Sequence, residues 1–348
     1  MEINKKPPER WFASDNNASV HPSIMQALVK ANSGHAVGYG DDPYTEAALR
    51  ACKHTFGEES ETFFVWNGTG ANVMALAAVL RPWEGVVCTD VGHIATDETG
   101  APERIAGIKI FTAHSDDGKL TTDMIEETVS ELGWVHSNLP RMVSVSQPTE
   151  TGLVYTPDEL AAIGELCKKR GFLMHVDGAR LSNAAVFLGT GLKDTAGPAD
   201  LISFGGTKNG LMFGEALVFM RVEDTPGIGN LRKNVLQLAS KMRYLSVQYS
   251  VYLEDGLWKD NALKANAAAH YLKEKAESVL GLSPEYAVQT NAMFTRIPPE
   301  IIEKITSEWF FYVINQKEGL VRWMCSWDNR TEDIDGFIRT LKAAFDRD

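Results

Sequence analysis

The sequence predicts an α/β fold: a mostly parallel sheet sandwiched by helices, with a smaller C-terminal α/β part. Three observations lead there. Short apolar runs bounded by glycine recur between Phe63 and Met220, and runs of about four to eight residues suit strands buried in a parallel or mixed sheet. Stretches with helical spacing separate them, so strand and helix alternate. At 348 residues with 44% hydrophobic side chains, the chain can bury one large core and a smaller one. The expected division is an N-terminal segment 1–35, a large domain 36–250 and a small domain 251–348.

Taken in order, Trp11 to Asn17 is a polar opening, and the amphipathic run Pro22 to Ala31 predicts the first helix. Gly38-Tyr39-Gly40-Asp41-Asp42-Pro43 is a turn by its glycine and proline content. Thr45 to Thr55 has helical spacing, and Phe63 to Trp66 reads as a strand. Asn67-Gly68-Thr69-Gly70-Ala71-Asn72 then opens a long apolar helix to Leu80. Val86 to Thr89 is a strand, Thr89 to Glu103 a loop, Ile108 to Phe111 a strand and Thr122 to Leu132 a helix. Arg141 to Ser146 is a strand leading to Gln147-Pro148-Thr149-Glu150, and Thr156-Pro157-Asp158-Glu159 starts a helix that runs to Arg170. Three buried strands follow: one in Phe172 to Arg180, an apolar run that ends on an acid and a glycine, one in Asp200 to Gly210, which runs out into small residues around Lys208, and Ala216 to Met220. Beyond the basic stretch Arg232 to Leu245, an Ala-rich helix from Leu257 to Glu277, short strands near Ala292 to Ile297 and Gly319 to Trp323, and a closing helix Ile334 to Phe345 complete the chain.

The three buried strands carry the chemistry. Lys208 sits among glycines at the end of one of them, where desolvation lowers an amine's pKa and frees it to attack a carbonyl. The aldehyde of pyridoxal phosphate is the obvious carbonyl, and its pyridine nitrogen needs a carboxylate to stay protonated. Asp177, 31 residues before Lys208 at the end of an adjacent run, is the candidate. Taken singly, each could be a loop lysine or a helix cap. Gly68, Thr69 and Gly70, between strand and helix, offer backbone N–H groups and the positive end of a helix dipole to a phosphate. The same turn supports a rival, a nicotinamide-dependent dehydrogenase, because Asp90 lies 20 residues after Gly70, where a ribose-binding acid belongs. That fingerprint lacks its third glycine and leaves Asp177, Arg180 and Lys208 without a task.

The strings H-V-D-G-A-R-L-S-N-A (175–184) and S-F-G-G-T-K-N-G (203–210) resemble the low-specificity L-threonine aldolases, in the β-eliminating lyase branch of fold-type I pyridoxal phosphate enzymes. The resemblance implies an aspartate aminotransferase-like large domain, pyridoxal 5'-phosphate on Lys208, and retro-aldol cleavage of L-threonine, L-allo-threonine and related β-hydroxy-α-amino acids to glycine and an aldehyde. It further implies that His93 stacks on the pyridine ring, that Arg180 contacts the cofactor's ring oxygen and the substrate carboxylate, and that Arg322, in Gly319-Leu320-Val321-Arg322-Trp323, clamps that carboxylate. Ser14 matches a serine that meets the carboxylate, Tyr39 a tyrosine that reaches a neighbouring subunit's site, and Arg243, in A-S-K-M-R-Y-L-S, a phosphate-binding arginine of a neighbouring subunit. A homo-oligomer with shared sites, a dimer of dimers, is the implied assembly. Two departures stand out: Thr149 replaces a histidine that approaches the β-hydroxyl in other branches, and Cys325-Ser326 replaces T-H after the arginine strand. His93, a bound water and Glu98 remain as candidates for the hydroxyl base. Another pyridoxal phosphate lyase, a transaminase or a racemase would share the same cofactor core.

Composition excludes other classes. A net charge of -12 and a pI near 5.2 argue against nucleic acid, which demands basic patches. No signal-peptide core or membrane-length apolar run is visible, so a soluble, cytoplasmic protein is expected. Cys52, Cys88, Cys167 and Cys325 lie far apart in apolar contexts, which fits buried free thiols in a reducing compartment and no metal pattern.

Overall fold

The computed structural model describes residues 9–221 and 227–346. A seven-stranded sheet is built from β1 (Glu61–Val65), β2 (Glu84–Thr89), β3 (Lys109–Ala113), β4 (Leu139–Ser146), β5 (Leu173–Gly178), β6 (Leu201–Phe204) and β7 (Glu215–Phe219). Its order is β1-β7-β6-β5-β4-β2-β3, and β7 is the strand that runs against the rest. The turns that leave β1, β2, β4, β5 and β6 therefore emerge at one edge of the sheet, together with the start of β7. In such sheets the carboxyl ends of the strands are where ligands bind.

Alternation along each strand divides the side chains between two cores. Phe64, Val176, Ile202, Ala216 and Val218 pack on one face with the helices Pro43–Phe56, Pro157–Arg170, Leu181–Leu188 and Arg243–Glu254. Phe63, Val65, Leu201, Leu217 and Phe219 pack on the other, against the helix Gly68–Val79. Gly70 through Leu76 of that helix are all buried, which is why its sequence shows no amphipathic stripe. The helix Pro157–Arg170 begins with a reciprocal cap between Thr156 and Glu159 and ends on Gly171 at φ 66°, a left-handed turn that favours glycine.

A second sheet, β8 (Ala292–Arg296), β10 (Leu320–Met324) and β9 (Tyr312–Asn315), is antiparallel in the order β8-β10-β9. Its core holds Trp323, Phe337, Trp309 and the N-terminal Phe12, whose N–H and carbonyl bond Phe310 and Met324. The helix Leu257–Leu280 joins the two bodies: Leu257 packs in the large core, while Ala269, Leu272 and Ala276 pack in the small one. Residue 250, the expected boundary, lies inside the helix Arg243–Glu254.

The sequence expectation left out the helices Leu181–Leu188, Leu192–Thr195 and Arg243–Glu254. The segment expected as a loop after β2 contains one helical turn, His93–Thr96, and a second at Pro102–Ala106. The helix Pro299–Thr306 and β9 were not among the expected elements; the four-residue strand carries little periodic signal, whereas the helix does bury a stripe of Ile301, Ile302 and Ile305.

Candidate active site

At the carboxyl edge of the large sheet, a cavity of ≈ 250 Å³ is walled by Gly68, Thr69, His93, Asp177 and Lys208, residues separated by up to 140 positions in the chain. Each is delivered by the turn that ends a strand: Gly68 and Thr69 after β1, His93 after β2, Asp177 at the end of β5, and Lys208 after β6. Close approach of two such turns requires Gly205, where a Cβ would overlap the Ala179 carbonyl.

Asp177 is buried, and its two carboxylate oxygens accept from Ala179 N at 3.0 Å and Asn72 Nδ2 at 2.8 Å. The same Asn72 nitrogen donates to Glu98 Oε1 at 2.7 Å, and that oxygen meets His93 Nδ1 at 2.9 Å. Reactive atoms of His93, Glu98 and Asp177 lie within 4.8 Å of one another. Burial works against the Asp177 anion, but nearby partners outweigh it and hold the carboxyl below its usual range. His175 is one of those partners, although burial between Ser144 and Ser203 pushes it down to about 4; His93, Asn72 and Lys208 are the others. The hydrogen bond to Glu98 raises His93 against the opposing effect of burial. Glu150 closes the far side: it accepts from His93 N at 3.0 Å and Ser146 Oγ at 2.7 Å, and burial raises its carboxyl. Asn72 and Glu150 were missed as site residues, although both end stretches that the sequence singled out, Asn67 to Asn72 and Gln147 to Glu150.

Among the described residues, no carboxylate lies within ion-pair distance of Lys208 Nζ. The positive charge of Arg180 is the largest influence lowering its pKa, and burial adds to it. This is the environment that keeps an amine nucleophilic.

The remaining candidates are distributed around this cavity. Asn67 Oδ1 caps Gly70 N at 2.7 Å, and the Gln237 side chain backs onto Gly70, so Gly68 and Thr69 are the turn residues that face the cavity. Arg180 commits Nε and Nη2 to Asp15 at 2.6 and 2.9 Å, and Asn291 donates to the same carboxylate at 3.0 Å. Arg322 gives Nη2 to the Ala13 carbonyl at 3.1 Å, while its buried Nε has no partner. Burial first and Arg180 second push Arg322 down to about 10. The Ser14 hydroxyl caps Asn16 N at 3.2 Å and lines a neighbouring cavity with Arg10 and Asp328; Asn16 is the member of that segment that faces Lys208. Tyr39, half exposed at φ 65°, lies under Lys233, and Arg243 bonds the Gly34 carbonyl at 3.1 Å and packs on Tyr244. Within one chain neither reaches the cavity wall. Thr149 is engaged in its own turn, with Thr151 at 2.8 Å and Leu153 N at 3.2 Å, and Glu98 is sealed at 0% side-chain exposure. Of the two side chains considered for the hydroxyl base, His93 is the one that faces the cavity.

A dinucleotide site of the Rossmann kind is excluded by topology. It needs the glycine turn and the acid on adjacent parallel strands, whereas β7, β6, β5 and β4 separate β1 from β2. Asp90 is instead bound to His114 at 2.6 Å and Ser115 N at 3.1 Å.

Residues 12–303 match the family described as beta-eliminating lyase. The chain belongs to the β-eliminating lyases. The low specificity L-threonine aldolase of Pseudomonas sp. (strain NCIMB 10558) is 39% identical over 96% of this chain and 98% of its own length. The enzyme of that name from Pseudomonas aeruginosa is 39% identical over 95% of this chain and 96% of its own. Among solved structures, a threonine aldolase of Leishmania major superposes with a TM-score of 0.91 at 32% identity, covering 95% of this chain and 98% of that one. An alanine–glyoxylate aminotransferase from Nostoc sp. shares the fold, with a TM-score of 0.69 at 18% identity over 99% of this chain and 97% of that one. The cavity of this β-eliminating lyase fits pyridoxal phosphate: a half-buried lysine with no ion-pair partner among the described residues for the aldehyde, a buried carboxylate for the ring nitrogen, and a helix N-terminus at Gly68 and Thr69 for the phosphate.

Proposed function

We propose that this β-eliminating lyase is a low-specificity L-threonine aldolase, an aldehyde-lyase that uses pyridoxal phosphate to cleave L-threonine, L-allo-threonine and related β-hydroxy-α-amino acids into glycine and an aldehyde such as acetaldehyde. The observation that carries the proposal is Lys208, half-buried and, among the described residues, without an ion-pair partner, in one cavity with Asp177 and His93. Whole-length likeness to proteins named for that activity supports the choice within the family.

Lys208 would supply the amine that attaches the cofactor, and Asp177 would be the carboxylate for its ring nitrogen. Once bound, pyridoxal phosphate supplies an electron-withdrawing ring that accepts the electron pair of the broken Cα–Cβ bond. Gly68 and Thr69 hold the phosphate, with Gly70 and its cap on Asn67 keeping the turn closed. Arg322, which has donors to spare, takes the substrate α-carboxylate, and a bidentate hold orients the Cα–Cβ bond. Arg180 flanks that carboxylate while bound to Asp15, and Ser14 shapes the segment that presents Asn16. Glu98 fixes the proton of His93 on Nδ1, which leaves Nε2 to take the proton of the substrate's β-hydroxyl.

The finer assembly belongs to the same proposal: a homotetramer, built as a dimer of dimers, in which Tyr39 and Arg243 of one subunit complete the site of another. Their positions outside their own chain's cavity wall support it. Four free, buried cysteines support a reducing, cytoplasmic setting. The test is to load purified protein with pyridoxal phosphate and assay acetaldehyde and glycine from L-allo-threonine. Wild type should be yellow and release both products, and Lys208→Ala should be colourless and inactive. A colourless wild type, or a Lys208→Ala variant as active as wild type, overturns the proposal.

A further inference from the structure

A second buried acid in the lysine cavity has no part in the chemistry above. Glu215 opens β7, the strand that runs against its neighbours, so its side chain is delivered to the carboxyl edge from the opposite direction to Asp177. It is 8% exposed, lines the same cavity as Lys208, and accepts from Gly206 N at 2.7 Å through Oε2. Gly206 lies two residues before Lys208, in the turn that carries it. A buried carboxyl is costly unless it is paired or neutral, and among the described residues Glu215 makes no ion pair.

We propose that Glu215 is a positioning residue for Lys208: it pins the lysine turn through Gly206 and supplies the negative charge against which the lysine nitrogen keeps its proton. This rests on Lys208 carrying pyridoxal phosphate. The surroundings define what else acts on the pair. From the turn after β5 and from the N-terminal segment come Asp177, Arg180 and Asp15, and Arg180 works against a proton on Lys208 while both acids work for it. The helix Arg243–Glu254 contributes Tyr249 and Tyr252, whose hydroxyls burial holds neutral. Thr207, between Gly206 and Lys208, adds a hydroxyl partner to Glu215, and His93 faces Lys208 across the cavity. Burial lifts Glu215 to about 7, so it changes charge near neutral pH.

Two carboxylates then share the cavity with distinct partners. Asp177, tied to Asn72, serves the ring side, whereas Glu215, tied to the Gly206 amide, serves the lysine side. A purely structural Glu215 would hold the turn equally well as an amide, because Gln offers the same acceptor to Gly206 N. The charge is what the amide lacks.

The experiment compares wild type, Glu215→Gln, Glu215→Asp and Lys208→Ala, each mixed with pyridoxal phosphate, by following the visible absorbance of bound cofactor as pH is raised. In wild type the absorbance change reports loss of the proton from the lysine nitrogen. Glu215→Gln should lower its midpoint by roughly one pH unit, since an opposite charge nearby favours the protonated form by that order. Glu215→Asp keeps the charge but draws it back by one methylene, so its midpoint should fall by less. Should Gln prevent folding, the Asp variant must still show that smaller downward shift. A Gln midpoint equal to wild type, or an Asp midpoint at or above it, overturns the proposal while leaving the lysine assignment intact. Lys208→Ala absorbance identical to wild type would overturn the lysine assignment and this proposal with it.

Discussion

His93 and Glu98 form the pair on which catalysis should turn. Glu98 raises His93 above its ordinary value of about 6.5, and a base must be neutral to accept a proton, so kcat/KM should climb as pH rises through the His93 pKa. In Glu98→Gln that support is gone, and the rising limb should move to lower pH by roughly one unit. A pH–rate profile with an unmoved limb would show that another group titrates there. His93→Ala should lower kcat by about 10²- to 10⁴-fold, the usual worth of a general base, with cofactor still bound. Asp15 makes a different prediction. Burial opposes its charge, but Arg180 outweighs burial and holds its pKa below the ordinary carboxylate value. A depressed folded pKa means the stabilisation is present above the unfolded value and is lost as pH falls through the folded one. Asp15→Asn at pH 7 leaves the Arg180 charge buried without its partner and should destabilise the fold by about 3–5 kcal/mol, measured by urea unfolding.

At the scale of elements, the glycines that bring turns together differ in what they tolerate. Gly205→Ala would drive a methyl into the Ala179 backbone, which cannot move without shifting the Asp177 turn, whereas Gly70→Ala meets only the end of the Gln237 side chain. Thermal melts should therefore show a larger loss for Gly205→Ala, with cofactor affinity falling alongside; equal losses would mean that the Asp177 and Lys208 turns can part without cost. The N-terminal strip is a comparable case. Phe12 is fully buried against Trp309 and Phe337, so Phe12→Ala should cost about 3–5 kcal/mol and loosen Asp15 and Arg322, both of which depend on that strip.

For the whole molecule, the cavity of one chain holds lysine, acid, histidine and phosphate turn, while Tyr39 and Arg243 stand outside it. Shared sites in a homo-oligomer predict complementation. Lys208→Ala and Arg243→Ala, each inactive or weak alone, should regain up to about a quarter of wild-type activity when unfolded and reassembled together, because mixed dimers then contain one intact site. Mixtures no more active than their components would place Arg243 outside the neighbour's site.

Much of this was legible in the residues themselves. Lys208 and Asp177 each sit where an apolar run meets glycine, and Gly68-Thr69-Gly70 sits between a strand and a helix, so local composition marks the ends of the buried strands on which they lie. Periodicity likewise marks the long helices and the central strands, since a buried face repeats every two or about 3.6 residues. Tertiary structure alone decided which strand ends meet. Strand order put four strands between β1 and β2 and removed the dinucleotide alternative, and the reversed β7 carried Glu215 to the lysine. Asn72 and Glu150 joined Asp177 and His93 only through contacts between turns distant in the chain, 105 residues apart for Asn72 and Asp177 and 57 for Glu150 and His93. Hydrogen bonds between such groups leave no trace in local sequence, because each residue's neighbours along the chain say nothing about which buried partner will satisfy it.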